Sequence, residues 1–363
     1  MSRIVVTFGE IMGRMAAPEN LRLRQTRQFD VMYAGAEASV AASICNFGGV
    51  ARYVTALPKH ALADATIDSV RAVGIDTRFV LRTDTGRLGL YFLETGANQR
   101  PSNVVYDRAD SAIAITPADQ YDWESIFHGA RWLHLSGITP ALSENGAEAT
   151  LVAAKKAKEV GATVSIDLNF RGKLWKWNAS KSARELAQDI MKGILPFVDV
   201  VIANEEDCHD VLGIQAGDTD VHAGTLDTSR YPDVARQVIK QFPNVSKVAI
   251  TLRESLSATH NNWGAMLLDA ATDRAVFAPL DSTGNYQSYE IKNIVDRVGG
   301  GDSFAGGLIF ALTTPELSEP HTALQYAVAA SCLKHSIKGD FNLSTRDEVE
   351  SLMGGSASGR VVR

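Results

Sequence analysis

The chain has 363 residues, 45% of them hydrophobic and 21% charged, and a net charge of −6. That balance belongs to a soluble globular protein, with length for two domains or for one large α/β domain with an appendage. An acidic chain with no basic run argues against nucleic acid as a partner, and three cysteines (Cys45, Cys208, Cys332) outside any CxxC spacing argue against a zinc site or a disulfide framework.

In chain order, "MSRIVVTFGEIM" reads as a first strand, because its apolar run is too short and too soon interrupted for a signal peptide. No run of about 18 apolar residues follows, so no membrane partner is expected. With the sparse cysteines this gives the expectation of a cytoplasmic protein. Short β-branched runs then alternate with helical patterns, the signature of βαβ units on a mostly parallel sheet. The expected strands are "RIVVTFG", "ARYVTAL", "ARWLHLSG", "ATVSIDLN", "VDVVIAN" and "KVAITL". Helices are expected over 36–47, 61–73, 144–160, 180–194, 205–212, 233–241, 302–313 and 321–335. In 144–160, Ala and Val recur at helical spacing, and Gly161 supplies the stop.

Two segments break the rhythm. Residues 14–33 and 87–108 read as short alternating strands with turns, a small discontinuous β-sheet flanking a core of 1–13, 34–86 and 109–363. Such a sheet can serve as a lid, and its second face suits a homo-oligomer contact, in a dimer or higher assembly. Residues 215–233 are expected to be a polar loop, and the tail after 353 frayed.

Ligands of open α/β sheets bind outside the carboxyl ends of the strands. Those ends carry Ser136-Gly137, then Asp167, Asn169 and Arg171, then Asn204 and Glu205, then Thr251 and Arg253. Near the other end of the chain, "DRVGGGDSFAGG" (296–307) places Gly299, Gly300 and Gly301 before Asp302 at a helix entrance. Glycine amides and a helix N-terminus can hold a phosphoryl group, and Asp302 can take the proton of an attacking hydroxyl, worth roughly 10²–10⁴ in rate. Taken alone, the segment fits equally a tight turn with Asp302 as a helix cap. A GxxxxGK[ST] loop is absent, and the first strand is not followed by GxGxxG.

"DRVGGGDSFAGG" resembles the C-terminal signature of the ribokinase-like, phosphofructokinase-B type carbohydrate kinases, D-T-x-G-A-G-D-x-F, with Arg297 for the Thr and Gly300 for the Ala. "YAGAEASVAASICNFG" resembles their N-terminal G-G-x-x-x-N-x-A, with Ala34 for the first Gly and Ser39 for the Asn. "GLYFLE", "VVYDRADSA", "LHLSGITPAL" and "DLNFR" resemble the family's kinases of 2-keto-3-deoxy sugar acids.

The resemblance implies a ribokinase-like three-layer α/β/α domain with a β-sheet lid. It implies transfer of the ATP γ-phosphoryl to a hydroxyl of a sugar acid, with Mg²⁺ and, as a further candidate, a monovalent cation. Carried over residue by residue, Asp302 is the base and Gly299–Gly301 the anion hole. Gly35, Ala36, Ser39, Tyr91, Tyr106, Arg108, Ile138 and Arg171 face the sugar acid. Asn204, Thr251, Arg253, Gly301 and Asn342 face the nucleotide. The family's N-x-x-E, which organises Mg²⁺ through water, stands here as Asn204-Glu205-Glu206-Asp207, so Asn204 and Glu205 are the metal candidates. Two other readings remain: a kinase of a neutral ketose, ribose or nucleoside, and a catalytically silent sugar or nucleotide sensor.

Overall fold

Runs such as Val200–Ala203, buried at every position, leave no face for solvent and form parallel strands covered on both sides by helices. The computed structural model describes residues 3–214 and 228–355, without the side chains of Glu205 and Ser229. Its strands are β1 (Ile4–Phe8), β2 (Met12–Ala16), β3 (Asp30–Ala34), β4 (Val50–Pro58), β5 (Val80–Thr83), β6 (Gly89–Glu94) and β7 (Asn103–Asp107). They continue with β8 (Ala130–Ser136), β9 (Thr163–Asp167), β10 (Val200–Ala203), β11 (Lys247–Ser257), β12 (His260–Asp269), β13 (Arg274–Ala278) and β14 (Tyr289–Lys292).

The large sheet has the order β13-β12-β11-β10-β9-β8-β1-β4-β5, with β14 paired to β12. It is parallel from β11 through β5 and antiparallel from β11 to β13. Helices Ala36–Asn46, Gly300–Leu312 and Pro320–Lys334 cover one face, over a core that includes Phe47, Phe304 and Tyr326. Helices Glu144–Glu159, Ala183–Ile194 and Tyr231–Gln241 cover the other. In Glu144–Glu159 the Ser143 hydroxyl accepts from Gly146 N at 3.0 Å, alanines 147, 149, 153, 154 and 157 are buried, and Gly161 follows with φ +75. The stripe and the stop are those expected of that segment, and the Ser143 cap adds to them.

The four-stranded second sheet has the order β3-β2-β6-β7 and draws on both lid-like segments. Its inner face buries Met12, Ala34, Tyr91 and Leu93, with Val104, Tyr106 and Val298 packed alongside. On its outer face Val31 is 53% and Val105 46% exposed.

Three sequence expectations change. The helix expected from 302 begins at Gly300, because a run of glycines carries no start signal of its own. β11 does not turn after Leu252 but runs to Ser257 and pairs with β12, which places Arg253 within a strand. Strands β12 to β14 and helix Arg346–Met353 were not expected; "WGAMLLD" in β12 is a continuous apolar run, which periodicity cannot assign. Of the loop expected over 215–233, residues 215–227 lie outside the described residues, and 231–241 is helix.

Candidate active site

A cavity of about 500 Å³ lies between the inner face of the second sheet and the carboxyl ends of the parallel strands. Gly299 bounds it in a left-handed conformation (φ 83, ψ 1), and a Cβ there would sit 2.1 Å from the Asp340 carbonyl oxygen. Only glycine fits both conditions. Gly299 is the N-cap, so Gly300, Gly301 and Asp302 form the first helical turn, whose amides have no intrahelical partner. Those amides and the positive helix end make an anion site.

Asp302 is therefore not the cap. Its carboxyl lines the cavity, half-buried, with no hydrogen bond or ion pair among the described residues. Burial, then the charges of Asp340 and Glu37, push its pKa up to about 7 against the pull of Arg171 and Lys334. A carboxyl so tuned is suited to accept a proton near neutral pH.

On the side of the second sheet the wall contains Gly35, Ala36, Tyr91, Tyr106, Arg108, Ile138 and Arg171. Gly35 permits close passage of the preceding loop, since a Cβ would meet the Glu10 carbonyl oxygen at 2.0 Å. Arg108 lies over the Tyr106 ring at 5.4 Å and donates through Nε to Glu10 Oε2 at 2.7 Å, with Nη2 on the same oxygen. Part of its fork is thus already engaged. Arg171 is exposed, makes a bond only to the Phe170 carbonyl oxygen (3.0 Å), and has no carboxylate partner among the described residues.

Beyond Asp302 the wall contains Asn204, Thr251 and Arg253. Asn204 Oδ1 accepts from Asp207 N at 2.8 Å, while Asp207 Oδ2 accepts from Asn204 N at 3.1 Å and Oδ1 from Phe170 N at 2.9 Å. This reciprocal cap engages both Asp207 oxygens, and burial raises the carboxyl's pKa. Asp167 is raised well above the usual carboxylate range by burial and by Asp207 and Asp302. Burial lowers the Arg253 pKa, and Arg171 lowers it further.

Two expected residues are not brought to the wall. Ser39 is 1% exposed, one helical turn (about 5.4 Å) along the helix from Gly35, with its hydroxyl unpartnered. Asn342 uses its side chain internally, donating to Ser303 Oγ (2.6 Å) and the Ala330 carbonyl (3.0 Å) and accepting from Ser344 N (2.9 Å). The Glu205 side chain lies outside the described residues.

Further residues shape the site. Arg14 on β2 is buried between two carboxylates, with Nη2 2.5 Å from Asp296 Oδ2 and Nη1 on Asp340 Oδ1. Tyr91 donates to the other Asp340 oxygen at 2.8 Å. Lys334, wholly buried, donates to the carbonyl oxygens of Asp296 (3.4 Å) and Ile337 (3.1 Å). Arg297 lines the cavity and donates from Nη2 to the Ser257 carbonyl (3.1 Å) and Asn261 Oδ1 (2.7 Å). Among these, Asp296 and Arg297 lay within a motif and Tyr91 within "GLYFLE", whereas no local pattern marked Arg14 or Asp340. His335 is buried, bonded to the Ser331 carbonyl at 2.7 Å and held neutral by burial, its pKa down to about 4.

Among the described residues no group of three or more His, Cys, Asp or Glu side chains could hold a metal ion. The wall does offer Asp167 and Glu206, enough for a Mg²⁺ carried largely by phosphates and water. Glu10 Oε1, Asn169 Oδ1 and Arg297 Nε are buried without partners, as expected where a polar ligand supplies them. Among the described residues no helix is long and apolar enough to cross a membrane.

Comparison with known proteins agrees with this architecture. Residues 2–344 match the pfkB family carbohydrate kinases. The chain is 32% identical over 359 residues to the 2-dehydro-3-deoxygalactonokinase of Haloferax volcanii, covering 99% of each chain. It is 26% identical to the 2-dehydro-3-deoxygluconokinase of Bacillus subtilis, over 96% of this chain and 94% of that one. The crystal structure of 2-dehydro-3-deoxygluconokinase from Thermotoga maritima superposes with a TM-score of 0.87 at 44% identity, over 97% of this chain and 100% of that one. With the ribokinase-like mixed sheet, its helical layers and the small second sheet in place, the chain belongs to the pfkB family of carbohydrate kinases.

Proposed function

We propose that the protein phosphorylates a 2-keto-3-deoxy sugar acid, converting 2-keto-3-deoxygluconate and ATP to 2-keto-3-deoxy-6-phosphogluconate and ADP. The observation that carries this reading is the Asp302 carboxyl, held in the first turn of a glycine-opened helix in a cavity shared with Arg171, neither with an ion-pair partner among the described residues. Asp302 takes the proton of the terminal hydroxyl as that oxygen attacks the γ-phosphorus, and the bond to the ADP oxygen breaks. The free amides of Gly300 and Gly301 and the positive helix end meet the charge on the phosphoryl oxygens, so catalysis is mainly positioning and electrostatics. Asp167 and Glu206, carboxylates of that wall, would hold a Mg²⁺ carried by the nucleotide, which would offset phosphate charge.

Arg171 receives the acid carboxylate, assisted by the unengaged nitrogen of Arg108. Segments 14–33 and 87–108 act as a lid that excludes water during transfer. The outer face bearing Val31 and Val105 is the contact of a homo-oligomer, and the protein works in the cytoplasm. Exchange of potassium for tetramethylammonium in the assay reads whether a monovalent cation assists. The neutral-sugar and silent-sensor alternatives are not favoured, since they leave Arg171 and the Asp302 site without a task.

Asp302→Asn is the test. Turnover falls by roughly 10²–10⁴ while ATP still binds in calorimetry; near-normal turnover in the variant refutes the role of Asp302.

A further inference from the structure

Arg171, Arg253 and Arg297 all line the one cavity, and none forms an ion pair among the described residues. Their positive charges oppose one another: besides burial, Arg171 lowers the pKa of Arg253, with Glu206 and Asp207 acting the other way, and Arg253 lowers that of Arg297. Three guanidiniums on one wall, two of them exposed and one half-buried, fit a site completed by a polyanion. The carboxylate of one sugar acid matches one guanidinium. Arg253 and Arg297 remain.

Arg297 is placed by its surroundings. Two residues before Gly299, it is anchored by Nη2 on the Ser257 carbonyl and Asn261 Oδ1, a bracket from the β11–β12 hairpin that fixes the plane of the guanidinium. Its Nε is buried without a partner, and Nη1 makes no hydrogen bond among the described residues. A half-buried arginine fork with open donors beside a helix N-terminus suits a phosphate. Arg253 makes no side-chain hydrogen bond among the described residues and stands on the strand that carries Ser257.

We propose that Arg253 and Arg297 form a guanidinium clamp for the polyphosphate of the nucleotide, with Arg297 holding the end next to the Gly299–Asp302 turn. The clamp rests on the kinase reading above for the identity of the polyanion. It also gives a task to the arginine that stands where the family signature has a threonine.

Calorimetric titration of ATP and of adenosine into wild type, Arg297→Gln and Asn261→Ala tests it. Arg297→Gln weakens ATP binding by about ten- to a hundredfold, the size of one charge-assisted hydrogen bond, and leaves adenosine binding unchanged. Asn261→Ala removes one arm of the bracket but keeps the guanidinium, so it weakens ATP binding less than Arg297→Gln does. Arg253→Gln, expected to show the same ATP-selective loss, serves if Arg297→Gln does not fold. ATP affinity unchanged in both arginine variants overturns the clamp. So does equal loss of ATP and adenosine, or an Asn261→Ala variant that reproduces the loss, since these mark a structural role. If wild type binds ATP through the clamp yet does not phosphorylate the sugar acid, the substrate reading fails while the clamp stands.

Discussion

The Arg14 guanidinium donates to Asp296 at 2.5 Å and joins the second strand of the small sheet to the residue that opens the Asp296–Asp302 turn. Its other terminal nitrogen holds Asp340, whose carbonyl oxygen packs against Gly299. Burial disfavours the charged guanidinium, but Asp340 and Asp296 outweigh it and hold the Arg14 pKa above its ordinary value. One buried cation thus fixes the small sheet and the phosphoryl site relative to each other.

Removing that cation leaves two buried carboxylates without their hydrogen-bonded counter-charge. Arg14→Met is expected to cost about 3–5 kcal/mol of stability, read as a lower urea midpoint. Adding Asp340→Asn to that variant recovers part of the loss. A midpoint unchanged by Arg14→Met contradicts the account.

The Asp302 pKa, raised from 3.8 to about 7, predicts the pH profile. Only the ionised carboxylate accepts a proton, so kcat/KM for the sugar acid rises as pH passes through about 7. Because the Asp340 charge contributes to the shift, Asp340→Asn moves that limb to lower pH. A wild-type limb near the ordinary carboxylate range contradicts the assignment.

Glu37 predicts a pH dependence of stability. Its Oε1 accepts from Ser136 Oγ (2.6 Å) and Thr139 Oγ1 (3.2 Å), Oε2 is unpartnered, and burial pushes the pKa from 4.5 up to about 7. The folded state therefore keeps a proton that the unfolded chain releases at lower pH. The resulting stability is complete below about 4.5 and is lost as pH rises through about 7, a change of roughly 3 kcal/mol. Glu37→Gln lacks this dependence, so its urea stability relative to wild type grows over that window. Parallel pH curves for the two proteins contradict it.

What the sequence made legible follows from where each signal lies. Asp167, Arg171 and Asn204 stand directly after apolar strands, and Gly299–Asp302 form one contiguous stretch, so pattern reaches them. The pairs Arg108–Glu10 and Arg14–Asp340 join residues far apart in the chain with no local signature. Ser39 stands at a motif position and Asn342 was expected from the resemblance, but their side chains are turned into the core, which depends on packing. Asp207 keeps the spacing of the metal motif, yet its shorter side chain closes on the Asn204 and Phe170 amides. The β12 strand was hidden because a doubly covered apolar run has no period to read.

The central claim is that the cavity phosphorylates a sugar acid. ADP release measured with 2-keto-3-deoxygluconate, its galactonate epimer, fructose and ribose tests it most directly, in wild type and in Arg171→Ala. Turnover is expected with the acids and not with the neutral sugars, and Arg171→Ala should raise the KM for the acid by about ten- to a hundredfold. Faster turnover of a neutral sugar than of either acid, or an acid KM indifferent to the loss of Arg171, contradicts the account.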